Sequence, residues 1–179
     1  MNIKNLSELI KQAAKVSFSK SCEKHGKKNV IGFSILSHDT ADSCGPVAAT
    51  RAGLDNFEYG TKNDFMFSPV EWDEFDDGPA FDKVNEEIGK LYDAGDYETD
   101  PDWHNKFREF IFEANVRGLE LLIQEEFFGS DEQRNDIFIV FCLSDSETFK
   151  THEPSWVKRL NTSLVSERYY KWWDEQNNA

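Results

Sequence analysis

Seven consecutive apolar residues, from Ile137 to Leu143, constrain the fold of this chain more than any other feature. They lie within DIFIVFCLSD, residues 136–145, where β-branched and aromatic side chains predominate. A short apolar run of this kind is typical of a strand that is covered on both faces. The run therefore predicts a central strand, with Ile137, Ile139 and Phe141 nearly fully buried.

Three further segments are interpreted as strands. VIGFSIL, residues 30–36, has apolar residues on both faces, so Phe33 and Ile35 are expected in the core. PVAAT, residues 46–50, is expected to pair with it in antiparallel fashion, with Pro46 restricted to the first position or to an edge. FMFS, residues 65–68, alternates apolar and other residues and is interpreted as a third, short strand.

Apolar residues spaced three and four apart predict helices in the rest of the chain. The predicted helices cover residues 5–24, 81–92, 103–126, 153–162 and 164–174. Asn5 is expected to cap the first helix and Gly26 to end it. Gly118 lies on an apolar stripe, which indicates a close crossing with another element. We expect one domain, residues 1–179, of the α+β class, with helices packed on a small, mixed, mainly antiparallel sheet.

The net charge of −14 is concentrated in one part of the chain. Residues 54–104 contain 3 Lys/Arg and 16 Asp/Glu, whereas residues 1–53 contain 8 Lys/Arg and 4 Asp/Glu. Such a negative field repels nucleic acid and attracts a cationic protein surface. The sequence has neither a signal peptide pattern nor a stretch long enough to span a membrane, and its three cysteines lack zinc-ligand spacing. These features predict a reduced, cytoplasmic protein that does not bind nucleic acid or membranes.

The strongest concentration of negative charge is SPVEWDEFDDG, residues 68–78. Its carboxylates do not follow the order of a calcium-binding loop, because aromatic residues stand where ligands or a turn glycine belong, so no metal site is predicted. Trp72 and Phe75 are interpreted as anchors that hold the segment against the core. The carboxylates are expected to face water or bind a partner, namely Glu71, Asp73, Glu74, Asp76 and Asp77.

Ser144-Asp145-Ser146 is the strongest catalytic candidate, because the end of a buried strand holds side chains rigidly. A serine nucleophile also needs an activating base and an oxyanion site, and no GxSxG motif surrounds this serine. The alternative is structural, with Asp145 or Ser146 capping the next helix. A separate candidate is His38-Asp39, which follows the strand at residues 30–36, although most residues in such positions only form the turn. The four histidines show no metal-binding spacing, and no glycine-rich phosphate loop occurs, so no cofactor is predicted.

The C-terminal sequence RYYKWWDEQ places several aromatic residues close together. Tyr169 lies three and four residues before Trp172 and Trp173, so these rings share one helix face. We expect that face to pack on the core, and the alternative is an exposed interaction or dimer patch.

Several segments, taken in order, resemble an uncharacterised bacterial family of domains of unknown function. They are GFSIL, VAAT, SPVEW, a helix pair, FFG, FIVFCLSD and RLN, between Ile31 and Asn161. The family is similar in genomic setting to the SUKH-type immunity proteins, which are encoded beside toxins. The resemblance supplies no assigned enzymatic activity that could be transferred to this chain. Family features would lie at Ser68, Glu71, Trp72, Ser144, Asp145, Leu160 and Asn161.

These observations favour a protein-interaction domain, with an immunity protein that neutralises a basic toxin as its specific form. Its partner-binding residues would be Glu71, Trp72, Asp73, Glu74, Asp76 and Asp77. One alternative is an enzyme that uses the strand-end serine and Asp145. Another is an acidic globular protein with no dedicated partner at this face. An enzyme should have a cavity where a hydroxyl or histidine meets a carboxylate, whereas a binding domain should have an acidic surface with an aromatic residue among the charges.

Overall fold

The computed structural model describes residues 2–75, 78–95, 99–144 and 147–177. Its helices are α1 (Ile3–His25), α2 (Arg51–Asn56), α3 (Lys62–Phe67), α4 (Asp82–Asp93), α5 (Trp103–Gln124), α6 (Asp131–Arg134), α7 (Glu147–Leu160) and α8 (Ser163–Asn177). Its strands are β1 (Val30–Ser37), β2 (Cys44–Thr50), β3 (Glu74–Phe75) and β4 (Phe138–Leu143). None of the helices in these residues has the length and apolar character needed to cross a membrane.

The four strands form one mixed sheet in the order β3-β2-β1-β4. The β1–β2 and β2–β3 pairs are antiparallel, and β4 runs parallel to β1. The predicted α+β class and mainly antiparallel sheet are confirmed. The predicted strand at residues 65–68 is wrong, because Phe65, Met66 and Phe67 belong to α3. Thr61 and Asp64 form a capping box that starts this helix, and the local capping signal outweighs the apparent alternation.

The predicted burial of β4 is confirmed, but its predicted central position in the sheet is wrong. Every residue of β4 is buried, as is Ile137 before it, but β4 lies at one edge of the sheet. The edge is covered by α7, whose Trp156 packs in the cluster on one face of the sheet and whose Val157 packs in the cluster on the other. A strand whose two faces and free edge are all covered has the same apolar sequence as a central strand.

Asn161, directly after α7, bonds to the backbone at the outer edge of β4. Its Nδ2 donates to the carbonyl of Ile139 at 2.6 Å, and its Oδ1 accepts from the N–H of Ile139 at 2.9 Å. A further donation to the Val157 carbonyl at 3.0 Å holds the amide against α7. The side chain therefore satisfies a donor and an acceptor that a neighbouring strand would otherwise pair.

Each face of the sheet has its own apolar cluster. Helices α1, α4 and α5 cover one face, where Phe33, Ile35, Ile139 and Phe141 are buried as predicted. Trp72, α3, α7 and α8 supply the cluster on the other face. Tyr169 of α8 is fully buried there and its ring stacks on that of Phe138 with centroids 5.7 Å apart, so the C-terminal aromatic residues do pack on the core.

The long helices α1 and α5 cross where Gly118 was expected to allow a close approach. A Cβ at Gly118 would lie 2.6 Å from Cγ2 of Ile10, which confirms that prediction. Gly26 ends α1 with φ of +84°, also as predicted. The predicted cap at Asn5 is wrong. Helix α1 begins two residues earlier, and the Asn2 side chain accepts from the N–H of Asn5 at 3.0 Å.

Candidate functional site

Trp72 anchors the acidic segment, as the sequence predicts. Its side chain is 2% exposed, and its Nε1 donates to the carbonyl of Phe65 at 2.8 Å. Its ring lies over Gly32 of β1, where an added Cβ would be 2.8 Å from two ring carbons. The missing side chain at Gly32 therefore makes room for the indole, and the ring fixes the neighbouring residues of the segment.

Asp73 is exposed, as expected for the acidic segment, but its carboxylate is also bound to a neighbouring turn. Its two oxygens accept from the N–H of Thr50 at 2.9 Å and from the Thr50 hydroxyl at 2.6 Å. Thr50 also caps α2 by accepting from the N–H of Gly53. The carboxylate thus joins the acidic segment to the turn between β2 and α2. The pairing of β3 with β2 places the two parts side by side.

Glu74 and Phe75 also differ from expectation. Side chains of successive strand residues point to opposite faces. Glu74 points to α1, where it accepts from Lys24 at 2.8 Å and contacts Nε2 of His25 at 3.0 Å. Burial raises the pKa of Glu74, but hydrogen bonds from Lys24 and His25 outweigh it and leave the pKa below its ordinary value. Phe75 is therefore left on the outside, 58% exposed, and does not anchor the segment.

Glu71 and Asp73 line a cavity of about 350 Å³ together with acidic and aromatic residues from the connection between α2 and α3. We call this the acidic cavity, lined by Glu58, Tyr59, Glu71 and Asp73 with Phe57 and Phe65 beside them. Tyr59 is 91% exposed, and its ring contacts that of Phe57 with centroids 6.3 Å apart. Within the described part of the chain, neither Glu58 nor Glu71 forms an ion pair or a side-chain hydrogen bond. Glu58 and Tyr59 were not predicted from the sequence, although FEYG before α3 combines aromatic and acidic residues in a short connection.

Of the six predicted partner-binding residues, the structure therefore brings Glu71 and Asp73 to this cavity. Trp72 is buried behind them, and Glu74 pairs with α1. Asp76 and Asp77 lie outside the described residues. Chemically, the cavity offers carboxylates with uncompensated charge next to an exposed aromatic ring. A guanidinium or ammonium group is the complement of both, because carboxylates attract it and the ring face binds it by a cation–π interaction.

The catalytic candidates come together at the carboxyl ends of β1 and β4. Because these strands are parallel, His38 and Ser144 meet there, and His38 Nδ1 lies 3.0 Å from Ser144 Oγ. The backbone N–H of Ser144 donates to the carbonyl of Ser37 at 2.9 Å, which fixes the start of the turn. Asp145 and Ser146 lie outside the described residues. Nearby, the carboxylate of Asp39 pairs with Arg108 at 2.6 Å.

A carboxyl group on α7 is fully buried in the core. Glu153 is 0% exposed, and neither of its oxygens has a partner with hydrogen-bond geometry among the residues that the structure describes. Burial raises its pKa to about 9, and the nearby Tyr169 hydroxyl lowers it only in part. Burial also raises the pKa of the Cys142 thiol on β4, and the Glu153 carboxyl adds to that effect. This group of side chains holds a neutral carboxylic acid in the core at physiological pH.

The described residues contain no group of three or more His, Cys, Asp or Glu side chains arranged to hold a metal ion. All three cysteines are free thiols, and Cys44 and Cys142 are buried.

Residues 10–162 match the model of a family described as Domain of unknown function (DUF4303). No curated protein and no solved structure matches the chain.

Proposed function

The chain belongs to the DUF4303 family, and we propose that it is a protein-interaction domain whose acidic cavity captures an arginine or lysine side chain of a basic partner. The observation that carries this proposal is the exposed ring of Tyr59 among the unpaired carboxylates of Glu58 and Glu71. A cationic side chain that enters between them would gain charge-assisted hydrogen bonds and a cation–π contact.

The distribution of charge supports a whole basic surface as the partner. Residues 54–104 contain 16 acidic and 3 basic residues, and the cavity draws Glu58, Glu71 and Asp73 from this stretch. A concentrated field of one sign accelerates association with an oppositely charged protein. The specific form of the proposal is an immunity protein that binds and neutralises a basic toxin, which needs tight binding of a cationic surface and no chemistry of its own.

Glu58→Gln with Glu71→Gln is expected to slow association with the partner by about tenfold and to flatten the salt dependence of the on-rate. Folding should be affected little, because exposed charges typically change stability by less than about 0.5 kcal/mol. The measurement is co-purification with the product of the neighbouring gene, followed by binding kinetics at several salt concentrations and a melting curve for each variant.

Glu23→Gln with Glu167→Gln is the matched control, since both carboxylates are exposed and the change in net charge is the same. This control should keep the on-rate within about twofold, because it alters the long-range field but not the cavity. Equal losses in the two double variants would contradict the acidic cavity as the binding site. Failure of the neighbouring gene product to co-purify would contradict the immunity proposal.

A second candidate function is acyl transfer at Ser144, supported by its 3.0 Å contact with Nδ1 of His38. In the tautomer with the proton on Nε2, the hydroxyl donates to Nδ1, and the imidazole is placed to accept that proton when Oγ attacks a carbonyl carbon. The carboxyl ends of two parallel strands hold both residues in place.

If Ser144 is a nucleophile, a fluorophosphonate probe should form a single covalent adduct, seen as one mass increment in the intact protein. Ser144→Ala should abolish the adduct, and His38→Ala should slow its formation by about 100-fold or more. Ser43→Ala is the control, because this hydroxyl lies near the same strand ends but contacts Asp42 rather than a histidine. An unmodified wild-type protein would exclude this function.

A further inference from the structure

A second cavity, of about 530 Å³, lies at the opposite end of the sheet from His38 and Ser144. It is placed at the amino ends of β1 and β4, next to the turn that leaves β2. Its apolar residues are Phe18, Val30, Phe128 and Ile137. All four are buried, and the Phe18 and Phe128 rings pack edge to face at 4.9 Å, so this side of the cavity is a rigid apolar wall.

The rim of this cavity is basic, although the protein as a whole is acidic. Lys27 and Lys28 follow the end of α1, and Arg51 is the first residue of α2. Arg51 Nε donates to the carbonyl of Lys28 at 3.0 Å, which joins the two parts of the rim and leaves the other guanidinium N–H groups available. None of these three cations has a carboxylate partner within the residues that the structure describes. We call this site the basic cavity.

The remaining polar residues of the cavity are Gln133 and Asp136. Gln133 Oε1 already accepts from the N–H of Ser130 at 3.0 Å, so its amide N–H groups are the free part of that side chain. Asp136 has no ion pair in the described chain and is exposed. A carboxylate at this position repels an anion but accepts hydrogen bonds from hydroxyl or amino groups. The cavity therefore has a cationic part, a part that accepts hydrogen bonds, and an apolar wall.

We propose that the basic cavity binds a small phosphate monoester with a flat, largely apolar body that carries hydrogen-bond donors, the chemistry of a nucleoside monophosphate. The phosphate would lie against Lys27, Lys28 and Arg51, since guanidinium and ammonium groups are the preferred phosphate ligands in proteins. The body would cover the small exposed area of the apolar wall, which is 2–6% of each of its four residues, and its donor groups would face Asp136. The volume falls in the range of about 300–1,000 Å³ that is usual for small-molecule sites.

The same charges argue against a polynucleotide as the ligand. A longer chain would extend beyond the three cations toward a protein surface whose net charge is −14, and its additional phosphates would be repelled. A single phosphate monoester avoids this repulsion. The basic cavity is also independent of the proposed acidic cavity, because the two share no lining residue.

The test is titration calorimetry of the full chain at low salt with the four common ribonucleoside monophosphates, and with adenosine and inorganic phosphate alone. At least one monophosphate should bind with a Kd below about 1 mM, and adenosine and phosphate should each bind at least about tenfold more weakly. Lys27→Gln with Lys28→Gln should weaken binding of the monophosphate by about tenfold or more, and Arg51→Gln should do the same.

Lys83→Gln with Lys171→Gln is the matched control, because these exposed lysines lie on α4 and α8 and change the net charge equally. Its affinity should stay within about twofold of wild type. Melting curves will show whether each variant is folded at the titration temperature. The proposal is overturned if none of the four monophosphates binds, if inorganic phosphate alone binds as tightly, or if the two double variants lose affinity equally.

Discussion

Glu153→Gln is expected to stabilise the protein at pH 8 by ~3 kcal/mol or more, and to leave its stability nearly unchanged at pH 4. The folded protein keeps the proton on this carboxyl up to a pKa of about 9, whereas the unfolded chain releases it near the ordinary value of 4.5. Between these values the folded state binds more protons, so the contribution to stability is present at low pH and is lost as pH rises. The slope approaches about 1.4 kcal/mol per pH unit.

The comparison needs urea unfolding of both proteins at several pH values from 4 to 9. The difference between their free energies of unfolding isolates Glu153, because every other titrating group is shared. Glu167→Gln, at an exposed position on the neighbouring helix α8, should differ from wild type by a small amount that does not change with pH. A constant difference for Glu153→Gln across the whole range would show that the carboxyl is ionised in the folded state.

Trp72→Ala is expected to destabilise the fold by about 3–5 kcal/mol, the usual cost of removing a large buried aromatic side chain. The indole fills the space over Gly32 and donates to the carbonyl of Phe65, so its removal leaves both a cavity and an unpaired acceptor. Asp73 follows it directly in the chain, and the bonds from Thr50 to that carboxylate depend on the same placement.

Phe75→Ala is the control from the same segment. Its ring is 58% exposed, so the substitution should cost less than about 1 kcal/mol. Guanidinium unfolding of both variants measures the two effects. Equal costs would mean that Phe75 carries as much of the packing as Trp72, contrary to the structure.

The features that follow from local pattern were predictable from the sequence. The apolar run of β4, the stripe on α5 and the glycines at residues 26 and 118 are determined by burial and backbone conformation. The edge position of β4 was not predictable, because the apolar pattern reports that a residue is covered but not whether a strand or a helix covers it. The short helices α2 and α6 were not predicted, because six and four residues are too few to show a helical period.

The acidic segment shows a different limit of sequence reasoning. Its five carboxylates look alike in the sequence, yet Asp73 binds Thr50, Glu74 binds Lys24, and Glu71 lines the acidic cavity. These differences arise from partners that lie 23 and 50 residues away in the chain and meet the segment only in the folded protein. Glu58 and Tyr59 were missed for the same reason, because their proximity to Glu71 is a property of the folded chain.

The amide of Asn161 protects this protein against aggregation through the edge of its sheet. FIVFCL combines high β-propensity with no charge and no proline, which is the composition of segments that stack into fibrils. In the native fold, Asn161 and α7 block the edge at which a second copy could add as another strand. Separation of α7 from the sheet would therefore expose an edge at which a second copy could add as another strand.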